Sequence, residues 1–331
     1  MKRGRGARAG SAKGLLGAMA ARLGLLLLTL ALVSVLVFIG GQILPGDIGR
    51  TLLGPLADPG AVAGLNHRLG TDRPVLVQYS DWLRHAASGD FGTSLAFQAP
   101  VAPFIGHALR HSAALAGMAL LLIVPSGLVL GIVAALRAGS RLDRAIVLAS
   151  VSLATVPDFA SALLLVIVFA LWLPWFPITG TAPEGSGFWV AAHALVLPAL
   201  PLVFTYVGYI ARMARAGTLE ALRADYTRTA VLKGLPDRIV LLRHVLPNAL
   251  MPTITVVATQ IGYLLGGLVV IESLFRIDGL GSLVLSAAKA RDFPMLEAGV
   301  MTMAVVYGLS AAAGDLLQSV LDPRMRRPRP R

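Results

Sequence analysis

The sequence holds no cysteine in its 331 residues, which excludes a disulfide framework and any thiolate metal site. Charge is scarce as well. Only 14% of the residues are Asp, Glu, Lys or Arg, against about 25% in ordinary soluble domains. Acids are the rarer sign, 17 against 29 basic residues, and the net charge is +12. None of the lysines follows a glycine, so the chain lacks a Gly-x-x-x-x-Gly-Lys-Ser/Thr phosphate loop and is not expected to bind ATP. No Ser-His-acid constellation can be placed in one compartment, so no catalytic residue is assigned, and no cofactor or metal is expected on this chain.

What abounds is apolar: 56% of the residues are hydrophobic. Stretches of about twenty apolar residues, enough to cross a hydrocarbon core of about 30 Å, recur at 23–44, 113–135, 145–173, 190–210, 245–270 and 295–317. The later ones carry internal Pro, Gly or polar residues, which bundled helices tolerate. An all-α polytopic membrane protein of six spans is predicted. The basic leader Lys2, Arg3, Arg5, Arg8 and Lys13 resembles the start of a signal peptide. The apolar run behind it exceeds the 7–15 residues of a secretory core, and an uncleaved anchor is expected.

Basic residues divide unevenly between the two faces. Six lie up to Arg22, three between the second and third spans, seven between the fourth and fifth, and five in the tail, 21 of the 29 in all. By the positive-inside rule both termini are expected in the cytoplasm. The predicted organisation is a cytoplasmic basic N-terminus (1–22), a first span (23–44) and an extracytoplasmic segment (45–112). A five-helix core (113–317) with a cytoplasmic loop at 218–244 and a basic tail (318–331) follow. The basic clusters are separated by spans and no recognition module accompanies them, so the charge is topological and nucleic acid is not expected as a partner. Residues 75–83, VLVQYSDWL, have helical apolar spacing and predict a short helix against the outer membrane face. Gly127/Gly131 and Gly262/Gly266 form small-residue pairs of the kind that lets helices approach closely.

The loop at 218–244 is too patterned for a tether. Leu222, Tyr226 and Ala230 fall four residues apart and predict an apolar stripe on one short helix, flanked by Arg223, Arg228 and Lys233. Gly234 is placed to end that helix in a left-handed cap, and Pro236 prevents its continuation.

At these residues the chain resembles the inner-membrane permeases of ATP-binding-cassette importers, in particular the dipeptide and oligopeptide permease family. The wider signature of such permeases is Glu-Ala-Ala, three residues, Gly, nine residues, Ile-x-Leu-Pro. Here Gly234 takes the glycine, and His244-Val245-Leu246-Pro247 follow at the required distance. Arg228-Thr229-Ala230 stands for Glu-Ala-Ala, and His244 stands for Ile. These departures resemble the peptide branch, whose wording this chain matches with Tyr226, Arg228, Thr229, Ala230 and Gly234, then Arg243, His244, Leu246, Asn248, Ala249 and Pro252. Further family-like stretches run along the chain: Leu44-Pro45-Gly46-Asp47, Gly89-Asp90-Phe91-Gly92-Thr93-Ser94, Arg291-Asp292-Phe293-Pro294 and Leu321-Asp322-Pro323-Arg324.

The resemblance implies the permease fold of type I importers and several partners. These are a second permease, expected to form a heterodimer with this chain, two cytoplasmic ATPase subunits that hold ATP and magnesium, and an extracytoplasmic substrate-binding protein. It also implies that the loop docks on the ATPase as a coupling helix, through Leu222, Asp225, Tyr226, Arg228, Thr229, Ala230, Lys233 and Gly234. His244, Leu246, Pro247 and Asn248 complete the signature. The cargo implied is peptides or similar small solutes. Nickel is the alternative within the same wider family, and an ion-coupled secondary transporter the alternative outside it. His107 and His111 stand four residues apart, but two imidazoles beside Arg110 do not make a metal site. Asp158, roughly 20 Å along a helix starting at Arg144, is a candidate for the translocation pathway or for pairing with a neighbouring helix.

Overall fold

A computed structural model describes residues 4–43, 48–54, 56–70, 72–183 and 185–321. Leu44-Pro45-Gly46-Asp47, the tail from Asp322 onward, and Lys2 and Arg3 lie outside the described residues. The expected all-α fold is observed: among the described residues the regular elements are helices, and Thr93 and Pro100 form an isolated antiparallel bridge.

In chain order the helices are α1 (Gly4–Ile43), α2 (Ile48–Leu53), α3 (Pro59–Leu69), α4 (Val75–Ala87), α5 (Val101–Leu136), α6 (Arg141–Thr155) and α7 (Asp158–Leu165). A π-helical turn, Val166–Trp172, extends α7, and α8 (Phe188–Arg223) and α9 (Asp225–Leu232) follow. The chain continues with α10 (Asp237–Ile239), a second π turn (Val240–Val245), α11 (Leu246–Ala249), α12 (Met251–Leu274), α13 (Leu280–Ala290) and α14 (Phe293–Leu321). Among the described residues four helical stretches are long and apolar enough to cross a membrane: Arg22–Gly41, Val101–Leu136, Phe188–Arg223 and Phe293–Gly314. Two bent pairs bring the number to six if each pair is one span.

One of those pairs corrects the sequence reading. The third span, expected as continuous over 145–173, breaks between α6 and α7 with a bend of 104°. Proline disfavours the α conformation in the residue before it, and Val156, preceding Pro157, is extended at φ −78°, ψ 125°. Asp158 therefore opens a new helix. The depth of 20 Å along a straight helix does not apply to it.

The chain packs as two units. In the unit of residues 1–23, 111–277 and 307–331, α8 is the central helix and lies against α6, α7, α11 and α12. Its 36 residues make about 54 Å of helix. That outruns a hydrocarbon core of about 30 Å, and its last four turns carry Arg212, Arg215 and Arg223. Small residues set its close contacts. A Cβ on Gly127 would lie 2.8 Å from Ile210, one on Gly131 would collide with the Ala211 carbonyl, and one on Gly208 would come 2.7 Å from the Ser150 carbonyl. The first of the two glycine pairs is thus a real helix contact. In the second, Gly266 has open space beside it, and the side-chain surroundings of Gly262 lie outside the description. The core of this unit includes Leu115, Ile123, Leu197, Leu202, Ile210, Leu264, Ile271 and Phe275.

The other unit comprises residues 24–110 and 278–306. The predicted short helix is present as α4, and its aromatic face rests on α1: the Phe38 and Tyr79 rings lie 5.4 Å apart, the Phe38 and Trp82 rings 5.9 Å. Two family-like stretches distant in sequence meet here. The buried Asp292 carboxylate accepts from the Ser94 hydroxyl, from the Leu95 and Ala96 amides at 3.1 and 3.2 Å, and from the Met295 amide at 3.3 Å. One side chain thereby caps α14 and closes the 94–96 turn, satisfying donors that a helix start and a tight loop would otherwise leave unpaired.

Candidate functional site

The loop after α8 is more structured than a single amphipathic helix. α8 ends at Arg223, Ala224 is extended at φ −71°, ψ 148°, and α9 begins at Asp225. This corrects the expected stripe. Leu222 sits in the last turn of α8, half-buried, and does not share a helical face with Tyr226 and Ala230. Thr227 explains the break. Its hydroxyl donates at 2.7 Å to the Ala221 carbonyl, one of the carbonyls a helix end leaves unsatisfied. The bond pins α9 to the end of α8.

The far end of α9 follows from glycine. Gly234 adopts φ +73°, as the sequence predicts. Its amide donates to Val231 O at 2.9 Å, and that of Leu235 to Ala230 O at 3.4 Å. This is the Schellman pattern, completed by the apolar contact of the residue after the glycine, since Leu235 packs on the cluster that holds Ala230. Nothing lies within 4 Å of where a Cβ on Gly234 would stand, so the backbone angle and not crowding demands glycine there.

The two faces of α9 differ. Thr227 and Ala230 are buried, and Ala230, 4% exposed, packs with Ala221, Val240, Val245 and Ala249. It does not face outward, contrary to the expected stripe. Asp225, Tyr226, Arg228, Thr229 and Lys233 are exposed. Beside them stand two apolar residues that sequence reasoning passed over, Val231 and Leu232, 55% and 79% exposed. Their signal was present as adjacent apolar residues, directly before Lys233-Gly234, in a helix otherwise polar on its outer side.

The return segment holds the rest of the signature. Pro247 has no amide to bond the carbonyl four residues back, and the turn ahead of it widens into the π form over Val240–Val245. Val245 fills the small core, and Asn248 Nδ2 donates to the His244 carbonyl at 2.8 Å. Leu246 and His244 are half-buried. Ala249 fits only because Gly217 of α8 lacks a side chain, as a Cβ there would collide with the Ala249 carbonyl. These residues fold the return path under α9.

A further pair escaped the sequence reading. Arg215 holds Asp143 with two bonds, Nε to Oδ1 at 2.7 Å and Nη2 to Oδ2 at 2.8 Å. Gly139 N adds a third at 2.9 Å. The start of α6 is thus tied to α8 two turns before its end, by the bidentate geometry that makes arginine–carboxylate pairs strong. Asp158 is separate from this loop: it is half-buried and accepts from the Thr205 hydroxyl of α8. Among the described residues no group of three or more His, Asp or Glu could hold a metal ion.

Comparison with known proteins decides the family. Residues 127–327 match the family described as "Binding-protein-dependent transport system inner membrane component", and residues 16–124 match its N-terminal companion. The chain belongs to the binding-protein-dependent ABC transport permeases. A probable peptide ABC transporter permease of Sinorhizobium fredii is 33% identical over 297 residues, covering 90% of this chain and 95% of the relative. The glutathione transport system permease GsiC of Salmonella typhimurium is 34% identical over 298 residues, covering 90% and 95%. A solved amino acid ABC transporter chain gives a TM-score of 0.47 at 15% identity, over 67% of this chain and 94% of its own. The permease is accordingly a multi-pass inner-membrane transport subunit that works with ATPase and binding-protein partners.

The pin between α8 and α9 has a measurable role in the permease. Thr227→Val removes the hydroxyl and leaves the buried Ala221 carbonyl with the Ala224 amide alone, at 3.3 Å, at a cost of about 1–1.5 kcal/mol. Hydrogen exchange over residues 224–233 is expected to accelerate about tenfold, with Thr227→Ser restoring protection. Unchanged exchange in Thr227→Val would remove Thr227 from the joint.

Proposed function

We propose that the permease forms half of an inward translocation pathway for peptides or similar small solutes, and that α9 is where it meets a cytoplasmic ATPase. The observation that supports this most is the outward side of α9. It carries Tyr226, Val231 and Leu232 among Arg228 and Lys233, on a helix held at one end by Thr227 and at the other by Gly234. A ligand-driven change reaches another subunit only through contacts that differ between two states, and a short helix fixed at both ends transmits such a push without absorbing it. Relatives named for peptide and glutathione transport support the cargo class.

In this reading the partners are a second, non-identical permease, two ATPases that hold ATP and magnesium, and an external binding protein. The permease itself hydrolyses no ATP. Its termini face the cytoplasm, in keeping with the 21 of 29 basic residues assigned to that side. The test is uptake of a labelled tripeptide by cells expressing the permease with these partners, compared with cells lacking it. A cysteine at Ser88, in a chain without native cysteine, is labelled alongside. Uptake that needs the permease, with Ser88→Cys labelled from outside only, is expected. Absence of permease-dependent uptake, or labelling from the cytoplasm, overturns the respective part.

A further inference from the structure

We infer that the Asp143–Arg215 pair is a positioning link that makes the start of α6 follow α8 when an ATPase moves α9; this rests on the docking of α9 proposed above.

The pair goes beyond what a helix cap requires. Asp143 is the third residue of α6. Its own amide donates to the Ser140 hydroxyl at 3.2 Å, and Gly139 N donates to its Oδ2 at 2.9 Å. Those local bonds already close the start of the helix. The Arg215 guanidinium comes from α8, 72 positions away, and adds Nε to Oδ1 at 2.7 Å and Nη2 to Oδ2 at 2.8 Å. The Asp143 side chain is 5% exposed. A fork of two charged bonds on a buried carboxylate fixes direction as well as distance, which contacts between apolar side chains do not.

The position of the pair decides what it can carry. α9 is pinned to the end of α8 by the Thr227 bond to the Ala221 carbonyl, and Arg215 stands about 9 Å before Ala221 along α8. A displacement of α9 therefore enters α8 close to the pair. At its far end α6 meets the 104° bend, where Val156 is extended and α7 begins. Asp158, the first residue of α7, is tied to α8 by the Thr205 hydroxyl. α6 is thus fastened to α8 at one end by Arg215, with a break in the chain just before the fastening at the other. Between them Gly208 lies against the Ser150 carbonyl, with no room for a Cβ. Such a contact resists compression, but it loses much of its attraction across a gap of about 1 Å. Without the guanidinium α6 can swing about the bend. With it, the start of α6 cannot leave α8, and the two helices move as one body around the hinge.

The test uses the assembled complex of permeases, ATPases and binding protein in lipid vesicles, with cysteine-free partner subunits. Spin labels on Arg141→Cys and Ala216→Cys, both exposed positions, report the distance from α6 to α8 with and without ATP. Peptide uptake and ATP hydrolysis are measured on the unlabelled proteins. Asp143→Asn keeps the shape and an acceptor for Gly139 but removes the charge. Asp143→Asn combined with Arg215→Gln leaves no charge unpaired, so it folds even where the single variant does not. Asp143→Arg combined with Arg215→Asp restores the pair in reverse. Arg144→Gln, an exposed basic residue of the same turn, is the control.

In the parent and in Arg144→Gln the distance is expected to be the same in both states. In Asp143→Asn and in the neutral double variant it is expected to change by about 2 Å or more with ATP, the size of a helix shift. With the ATPases still bound, peptide taken up per ATP hydrolysed falls about tenfold, within the usual range of coupling between sites. The reversed pair restores both; where it does not assemble, the neutral double variant decides. A distance as constant in the neutral double variant as in the parent, a parent distance that changes with ATP, or an unchanged ratio of peptide to ATP each overturns the link. Lower abundance with distance and ratio unchanged makes the pair a folding element only and overturns it too. If the parent takes up no peptide, the peptide reading falls while the distances still decide the link. If the Val231→Glu, Leu232→Glu double variant keeps its ATPases, α9 is not the docking surface and the link falls with that reading.

Discussion

With Val231 and Leu232 both exchanged for glutamate, the permease is expected to reach the membrane in the parent's amount but to purify without its ATPase subunits and to transport nothing. The two residues are 55% and 79% exposed and, among the described residues, belong to none of the apolar clusters, so the folded subunit gives up little when they change. Burying a valine or leucine against a partner contributes roughly 1.5–3 kcal/mol each. The double exchange forfeits most of that and places two carboxylates in a surface that docking would strip of water, a further cost. A loss of 3 kcal/mol or more lowers affinity by more than a hundredfold. Quantifying membrane abundance, ATPase co-purification and cargo uptake side by side checks it. ATPase retention and uptake at the parent's level would exclude the outer side of α9 as the docking surface.

The sequence carried much of this architecture because membrane helices and helix ends obey one-dimensional rules. Each apolar window falls on a long helix or a bent helix pair, although α5 begins twelve residues before its window and α8 ends thirteen after it. Gly234 with Pro236 marked the end of α9 because only a left-handed residue closes the helix there. Gly127 and Gly131 marked the contact with α8 because no larger residue fits. What periodicity could not supply is a break that no proline announces. Leu222, Tyr226 and Ala230 keep perfect helical spacing across Ala224, yet Ala224 is extended and the Thr227 hydroxyl bonds the Ala221 carbonyl across the break. In α6 and α7 Pro157 did announce the break, but apolar length alone still reads as one span. Pairings such as Arg215 with Asp143, or Ser94 with Asp292, join residues 72 and 198 positions apart. They leave no local pattern to read.

Ala230→Glu tests the inward side of the same helix and should fail differently. Ala230 is 4% exposed among Ala221, Val240, Val245 and Ala249, a core of small side chains with no room for a longer one. A glutamate there must either ionise without a partner or push α9 away from the return segment. Overpacking alone costs about 1–3 kcal/mol, and an unpaired buried charge adds several more. The five buried residues of this cluster are too few to absorb that, so the loop should open as a unit while the spans stay packed. Trypsin reports the opening, because Arg228, Lys233 and Arg238 lie along the loop. Cleavage within 225–243 is expected to accelerate at least tenfold in Ala230→Glu and to match the parent in the Val231→Glu, Leu232→Glu double variant. Uptake is lost in both, in one because the joint is unfolded and in the other because it is folded but bare. Equal protection of the loop in Ala230→Glu and the parent would mean that Ala230 does not face the interior, and the joint between α8 and α9 would need a different geometry.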